Sequence, residues 1–369
     1  MKLEYYKNLD GLRGIAAIMV VAFHFYSYPD GYYDDATLAK KITGIGQHGV
    51  SLFFVLSGFL ITRILFATKG SGNYFYCFFV KRILRIAPLY YFFLFIWFYL
   101  LPPLINYPIA PVMDQLPAFL YVQNVYSTFG IPQGGPPHFW SLAVEEHFYL
   151  VWPFVVYYTP SRHLIKLLIA GTAAIFVIRY FMLSNGLPIH DFTLTRIDQI
   201  MMGTFLAILE LKGLFRKQSV FGLALVSILS VASATYFFML GPEFFLLKEM
   251  LKYFLLAICF ASIIGMFLSL STNSFVNKVL STRPLLYVGQ ISYGIYVWHV
   301  VALILLQHFL ITGIVLVDLL VAFGLTFVMA HVSFYYFELY FLRWKLHLTN
   351  APQTGSWDKM VAAVKGVFM

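Results

Sequence analysis

Runs of about 20 almost wholly apolar residues recur along this chain, and a run of that length is what an α-helix needs to cross the hydrocarbon core of a bilayer. Residues 220–240 and 251–270 are of this kind, apolar on every face. Inside lipid every backbone N–H and C=O must find its partner within the protein, which leaves only helices or a closed barrel. A barrel would alternate apolar and polar residues in segments of about 10, and these runs do not alternate. Composition agrees. The chain is 60% hydrophobic and 11% charged, against roughly 45–50% and 25% for a soluble domain. The expected fold class is therefore all-α, a polytopic transmembrane helix bundle of about ten spans. They are placed at residues 10–28, 49–67, 85–102, 138–158, 163–183, 196–212, 219–239, 249–270, 287–309 and 313–340. With no internal repeat and no appended soluble domain in view, residues 1–345 read as one transmembrane domain. Residues 346–369 read as a polar C-terminal tail, with 361–369 a candidate surface helix.

The net charge of +9 invites a nucleic-acid reading, but its distribution argues for a membrane protein. With the N-terminus inside, 19 of the 25 Lys and Arg fall on the inner side, and the longest outer loop, residues 103–137, has none. That is the positive-inside bias. An even number of spans then keeps both termini cytoplasmic, and no nucleic-acid partner is expected. The two cysteines, Cys77 and Cys259, show no metal-ligand spacing, so neither a disulfide nor a metal site is expected. The first apolar run lacks a signal-peptide cleavage pattern and extends past the length of an h-region, so it reads as a retained span. A cell membrane, crossed many times, is the expected location.

Ionisable residues inside the spans are the candidates for function, since each costs roughly 2.5–3.5 kcal/mol at a helix centre. Arg13 and His24 are eleven residues apart, three helical turns, so they project from one face about 16 Å apart along the axis. Arg13 would hold an anionic group near the inner edge and His24 would do proton chemistry deeper. A snorkelling arginine and a structural histidine fit the same pattern. Lys81-Arg82-Ile83-Leu84-Arg85 precedes Pro88 at an expected cytoplasmic helix start. Arg82 and Arg85, at i and i+3, share a face and suit a phosphate, or they are ordinary flanking charge. In His138-Phe139-Trp140-Ser141-Leu142-Ala143-Val144-Glu145-Glu146, at an expected outer mouth, His138, Ser141 and Glu145 would line one helical face. Glu146 would point about 100° away, so that one carboxylate faces the bundle interior and the other the aqueous mouth. Interface anchoring by Trp140 and the acids is the alternative. Arg196, Asp198, His299 and Glu338 form a last set, for which structural roles fit as well as functional ones. Arg196 and Asp198 would compensate each other. Ser57-Gly58 reads as close helix packing, because small residues let backbones approach.

Five ordered motifs then resemble the acyltransferase-3 family of bacterial membrane acyltransferases, which modify cell-surface glycans. Asn8-Leu9-Asp10-Gly11-Leu12-Arg13-Gly14 leading to His24 looks like its Arg-x10-His element. Gly49 to Leu60 is similar to its second-helix motif, and Arg82-Ile83-Leu84-Arg85 to its Arg-x-x-Arg pair. Trp140-Ser141-Leu142-Ala143-Val144-Glu145-Glu146-His147-Phe148-Tyr149 resembles its Trp-Ser-Leu-x-x-Glu-Glu-Gln-Phe-Tyr block, with His147 where the family usually has Gln. Ile291 to His299 resembles its late Ser-Tyr-x-x-Tyr-x-x-His run. The resemblance implies a cytoplasmic acyl-CoA donor, acetyl by default, and a hydroxyl acceptor such as a cell-surface or lipid-linked glycan, with no permanently bound cofactor. Arg13, Arg82 and Arg85 on the inner side suit polyanionic CoA, and His24 would be the base, with Glu145 or Asp198 orienting a histidine or the acceptor; a covalent acyl-histidine relay is the alternative. His138, Trp140, Ser141, Glu146 and His299 go to the substrate. The hydrolase-like extracytoplasmic domain of some members is not expected here. Two rivals remain: a transporter of acyl groups or glycans without transferase chemistry, which would favour an inverted repeat, and a partner-binding membrane subunit, which would not need Arg13 and His24 on one face.

Overall fold

The computed structural model describes residues 4–27, 43–215, 218–239 and 241–349. Among these, every regular element is a helix. Long helices stand at all ten expected spans: α1 (Lys7–Ser27), α2 (Gly49–Thr68), α3 (Tyr74–Phe95), α4 (Trp140–Tyr158), α5 (Ser161–Ser184), α6 (Thr193–Leu211), α7 (Ser219–Met239), α8 (Phe245–Ser269), α9 (Arg283–Leu305) and α10 (Val315–Val332). α3 continues through a π-helical turn, Ile96–Leu100, into Leu101–Leu104, and α9 ends in another at Leu306–Leu310. α10 passes through a third, Ser333–Glu338, into α11 (Leu339–Thr349). Eight helices among the described residues are long and apolar enough to cross a membrane. This is an integral membrane protein. α4 and α6 fall outside the eight. Each has 19 residues, about 28 Å of helix, but α4 carries Glu145 and Glu146, and α6 carries Arg196, Asp198 and Glu210.

Three boundaries differ from expectation. α3 begins at Tyr74, eleven residues before the expected start, so Arg82 and Arg85 lie more than two turns inside a helix rather than at its mouth. The run Tyr74 to Val80 supplies an apolar first stretch, and Pro88 sits within the helix. Proline removes only the bond to the Leu84 carbonyl there, and the helix continues. α4 begins at Trp140. His138 belongs to the preceding 3₁₀ turn, Pro137–Phe139, whose three-residue period breaks the single face expected for His138, Ser141 and Glu145. α11 runs to Thr349, so the first residues of the expected tail are helical. Residues 350–369, including the candidate helix at 361–369, lie outside the described residues, as does residue 28 of the first expected span.

The chain divides into two compact units. The first comprises Met1–Gly49, Gly70–Ala110 and Arg283–Met369, and so holds α1, α3, α9, α10 and α11. The second comprises Val50–Lys69 and Pro111–Thr282, with α2 from Val50 onwards and α4 to α8.

Glycines set the tightest packing in both units. In the first, α1 and α9 run parallel. A Cβ on Gly14 would lie 2.8 Å from the Leu285 carbonyl oxygen and 3.0 Å from the Gly289 nitrogen, and one on Gly289 would run into the Asp10 carbonyl. In the second unit, α2 and α6 meet the same way. A Cβ on Gly58 would strike the Ile200 carbonyl, and one on Gly203 the Val55 carbonyl. Two hydroxyls then bond across the pair, Thr62 with Thr204 at 3.0 Å, and Trp152 of α4 donates to Thr62 at 2.9 Å. Gly203→Val is therefore expected to destabilise the protein by about 1–3 kcal/mol through overpacking. Gly222→Ala, where a Cβ meets nothing within 4 Å, should be neutral. Thermal unfolding of the two variants in detergent measures the difference, and equal melting would show that the helices have room to move apart.

Candidate active site

In the first unit the α1–α9 glycine contact determines what meets further along. His24 lies ten residues beyond Gly14, and His299 ten beyond Gly289. Two parallel helices touching at the glycines climb together, so after about 15 Å the imidazoles arrive at the same height. Their ring centroids are 4.8 Å apart. His24 Nδ1 lies 2.9 Å from the Val20 carbonyl oxygen, and His299 Nδ1 lies 2.6 Å from that of Tyr296. A carbonyl oxygen only accepts, so each Nδ1 carries the proton and donates it. In the neutral ring the lone pair then sits on Nε2, the nitrogen a general base uses. His299 is fully buried and His24 half-buried. The expected catalytic residue is thus the more accessible of the two. Nothing in the sequence paired it with His299. Their equal offsets from two packing glycines were the available signal.

The expected anion-binding arginines also belong to this unit. Arg85 Nη1 is 3.2 Å from Glu338 Oε2, and its guanidinium lies 5.7 Å over the Tyr293 ring. Tyr293 in turn donates to the Ile86 carbonyl at 2.8 Å, and Ser333 to Glu338 at 3.3 Å. Arg13 and Arg82 both lie close enough to act on the Arg85 charge. The three expected arginines are therefore one cluster, with Glu338 as an acidic member that fixes Arg85. Such a cluster matches a phosphate group.

The second unit gathers the remaining candidates. His138 and Ser141 are buried; Trp140, Glu145 and Glu146 are half-buried. Tyr149, one turn along α4, donates to Glu145 at 3.2 Å and is hydrogen-bonded to Ser57 of α2. The Ser57-Gly58 pair thus both packs α2 against α6 and ties down the Glu145 carboxylate. His147, the departure from the family pattern, is 2.7 Å from the Thr193 hydroxyl at the start of α6. Asn124, in the short helix Gln123–Thr128, donates to the same hydroxyl at 2.8 Å.

Arg196 and Asp198 act on each other's charge, as the sequence suggested, but the direct partner of Asp198 is a different arginine. Asp198 Oδ2 is 2.7 Å from Nη2 of Arg179 on α5. Arg179 also donates to the Thr195 carbonyl at 3.0 and 2.6 Å and to that of Met250 at 2.9 Å. Arg196 instead stacks in an aromatic cage, 3.8 Å from the Tyr253 ring, 4.9 Å from Trp140 and 5.8 Å from Phe54. It donates to the His190 carbonyl and to Gln199, each at 3.1 Å. At the other end of α6, Glu210 accepts from Arg63 of α2 at 3.0 Å. The charges that set α6 apart are all partnered within the unit. Among the described residues, no three His, Cys, Asp or Glu side chains are grouped to hold a metal ion.

Known proteins resemble this sequence. The chain is 27% identical over 368 residues to a peptidoglycan O-acetyltransferase, OatA, of Listeria monocytogenes, a match covering 91% of this chain and 55% of that one. It is 27% identical over 363 residues to an O-acetyltransferase OatA of Staphylococcus aureus, covering 91% and 57%. It is 28% identical over 339 residues to a putative peptidoglycan O-acetyltransferase, YrhL, of Bacillus subtilis, covering 82% and 49%. The chain spans about half the length of the curated relatives it matches. No solved structure matches it. The acyltransferase domain of the acyltransferase-3 family matches residues 6–338, so its footprint takes in both histidines, the arginine cluster and the α4 block, and the chain belongs to that family.

Proposed function

We propose that this protein is a membrane O-acyltransferase that moves an acyl group, acetyl in the first instance, from cytoplasmic acyl-CoA to a hydroxyl of a cell-surface or lipid-linked glycan. Ten spans with both termini in the cytoplasm accompany this reading. α4 and α6 are long enough to cross, and the partnered charges of α6 remove much of the objection to its doing so. The observation that carries the reading is the His24–His299 pair, with Nδ1–H of each ring held by a backbone carbonyl.

His24 Nε2 takes the proton of the acceptor hydroxyl as that oxygen attacks the thioester carbonyl. The C–O bond forms, the C–S bond breaks, and the proton ends on the CoA sulfur. Arg13, Arg82 and Arg85 hold the CoA phosphates, with Glu338 keeping Arg85 in place. His138, Trp140, Ser141, Glu145 and Glu146 serve the acceptor, and His299 orients His24. The ion pair with Arg179 supports a structural task for Asp198 in place of the catalytic one expected.

Membranes supplied with carboxyl-labelled acetyl-CoA test the donor. Label is expected in alkali-labile envelope esters, with equimolar release of CoA. Arg82→Ala should raise the donor KM about tenfold with kcat little changed, the loss of one charge-assisted phosphate contact. Absence of labelled ester, or a KM unmoved by Arg82→Ala, would overturn the donor assignment.

A further inference from the structure

In the second unit, the connection from α5 to α6 carries two titratable side chains that the reaction above does not use. His190 Nδ1 is hydrogen-bonded to Asp191 Oδ1, and Ser127 donates to Asp191 Oδ2 at 3.0 Å. The backbone is held as well. Arg196 donates to the His190 carbonyl and Asn124 to the Asp191 carbonyl, each at 3.1 Å. The His190 ring stands edge-on to Trp140, with centroids 4.8 Å apart. Yet the side chain of His190 is 58% exposed and that of Asp191 25%. An exposed pair contributes little to stability, so the fixing of this one from several sides calls for another reason.

Three observations say what such a site takes. First, with Nδ1–H given to the carboxylate, the neutral ring carries its lone pair on Nε2, and Nε2 has no hydrogen-bond partner among the described residues. Each Asp191 oxygen also keeps a second lone pair. Adjacent acceptors of this kind match the hydroxyls of one sugar. Second, Phe129 is 47% exposed and packs edge-on against Phe192, with centroids 5.8 Å apart. An apolar ring thus stands beside the polar pair, as a sugar has a C–H face beside its hydroxyl edge. Third, the local charge disfavours an anion. Arg196 is buried in its aromatic cage, Lys252 is paired with Glu249 at 2.5 Å, and residues 103–137 contain no Lys or Arg. A phosphate or acidic headgroup would meet the Asp191 carboxylate instead. A hydrocarbon chain would take water from these polar groups and return no hydrogen bond.

We infer that His190, Asp191 and Phe129 form a binding subsite for a neutral glycan, whose hydroxyls donate to His190 Nε2 and Asp191 while a sugar ring lies against Phe129. The use of the site rests on the acyltransferase reading. In the proposed orientation residues 103–137 and 185–192 are both on the outer side, and Trp140, assigned above to the acceptor, packs against His190. The glycan held here is then the acceptor.

Diethyl pyrocarbonate reads the site without any acyl transfer, because it carbethoxylates exposed neutral imidazole. The full chain in detergent is treated with the reagent, alone or with envelope glycan from the cells that make the protein, solubilised and freed of its esters by mild alkali. Modification of the peptide containing His190 should fall about tenfold at saturating glycan. His331, exposed in the other unit, should be modified equally throughout. Inorganic phosphate and phosphatidylglycerol should not protect His190. His190→Phe, which keeps a ring against Trp140, and Asp191→Asn should each raise the glycan KM about tenfold, through lost hydrogen bonds, with donor KM unchanged. No protection by the glycan, or equal protection by phosphatidylglycerol, overturns the inference. A glycan KM unmoved in both variants while ester still forms also overturns it, and leaves the acyltransferase reading standing. Protection as expected in a protein that forms no ester from any donor would overturn the acyltransferase reading and leave the glycan site standing. If His190→Phe lowers the folded yield, Asp191→Asn carries the same readouts.

Discussion

Asp198→Asn is expected to destabilise the protein by about 3–5 kcal/mol, because it leaves a buried guanidinium without its counter-ion. Arg179 is 0% and Asp198 1% exposed, and they pair at 2.7 Å. Neither charge has water to fall back on, and the Thr195 and Met250 carbonyls that Arg179 also contacts bring partial charge only. Replacing both partners tells a different story. A buried pair exchanged for apolar residues of similar volume is often neutral or stabilising, so Arg179→Met with Asp198→Leu should recover most of the lost melting temperature in detergent. That double variant also separates two roles for Asp198. If the carboxylate only balances Arg179, acyl transfer returns with the fold. If Asp198 acts on a histidine or the acceptor, the fold returns and transfer does not. An Asp198→Asn protein that melts like wild type would remove the ion pair from the account of this unit.

How far the sequence reaches can be judged from these same residues. Eight of the helices were legible because lipid enforces one solution, and apolar length alone reports it. Boundaries fared worse where charge lies inside a helix. Lys81, Arg82 and Arg85 read as the flank of a span, but α3 runs eleven residues further back, and Glu338 arrives from the end of the π turn after α10 to pair with Arg85. Pairing across helices is a tertiary event that spacing along one helix cannot show. The same holds for Asp198, whose sequence neighbour Arg196 is the obvious partner and whose actual one, Arg179, comes from α5. Arg63 with Glu210 is a third case. Arg13 and His24 both sit half-buried on α1, and Ser57-Gly58 packs as small residues should.

His24→Ala should reduce kcat by about 10²–10⁴-fold, the usual worth of a general base, while donor KM changes little. The expected split follows from distance. The arginine cluster is reached through Arg13, eleven residues or about 16 Å along α1 from His24, so losing the imidazole leaves the donor contacts in place. His299→Ala should be milder, because a fully buried ring that orients its neighbour is not itself the base. The double variant should be little worse than His24→Ala, as expected for residues that act as a unit. Gly289→Ala offers the most demanding check, since it removes no titratable group. Its Cβ would push into the Asp10 carbonyl and force α1 and α9 apart at the contact that sets the height of both histidines. A displacement near 1 Å can cost about 10²-fold in rate, so kcat should fall with no new charge or lost hydrogen bond at the rings. Gly324→Ala on α10, where a Cβ meets nothing within 4 Å, should leave kcat unchanged. Wild-type turnover in Gly289→Ala would mean that the register of α1 on α9 does not position the base, and the pairing of His24 with His299 would lose its place in catalysis.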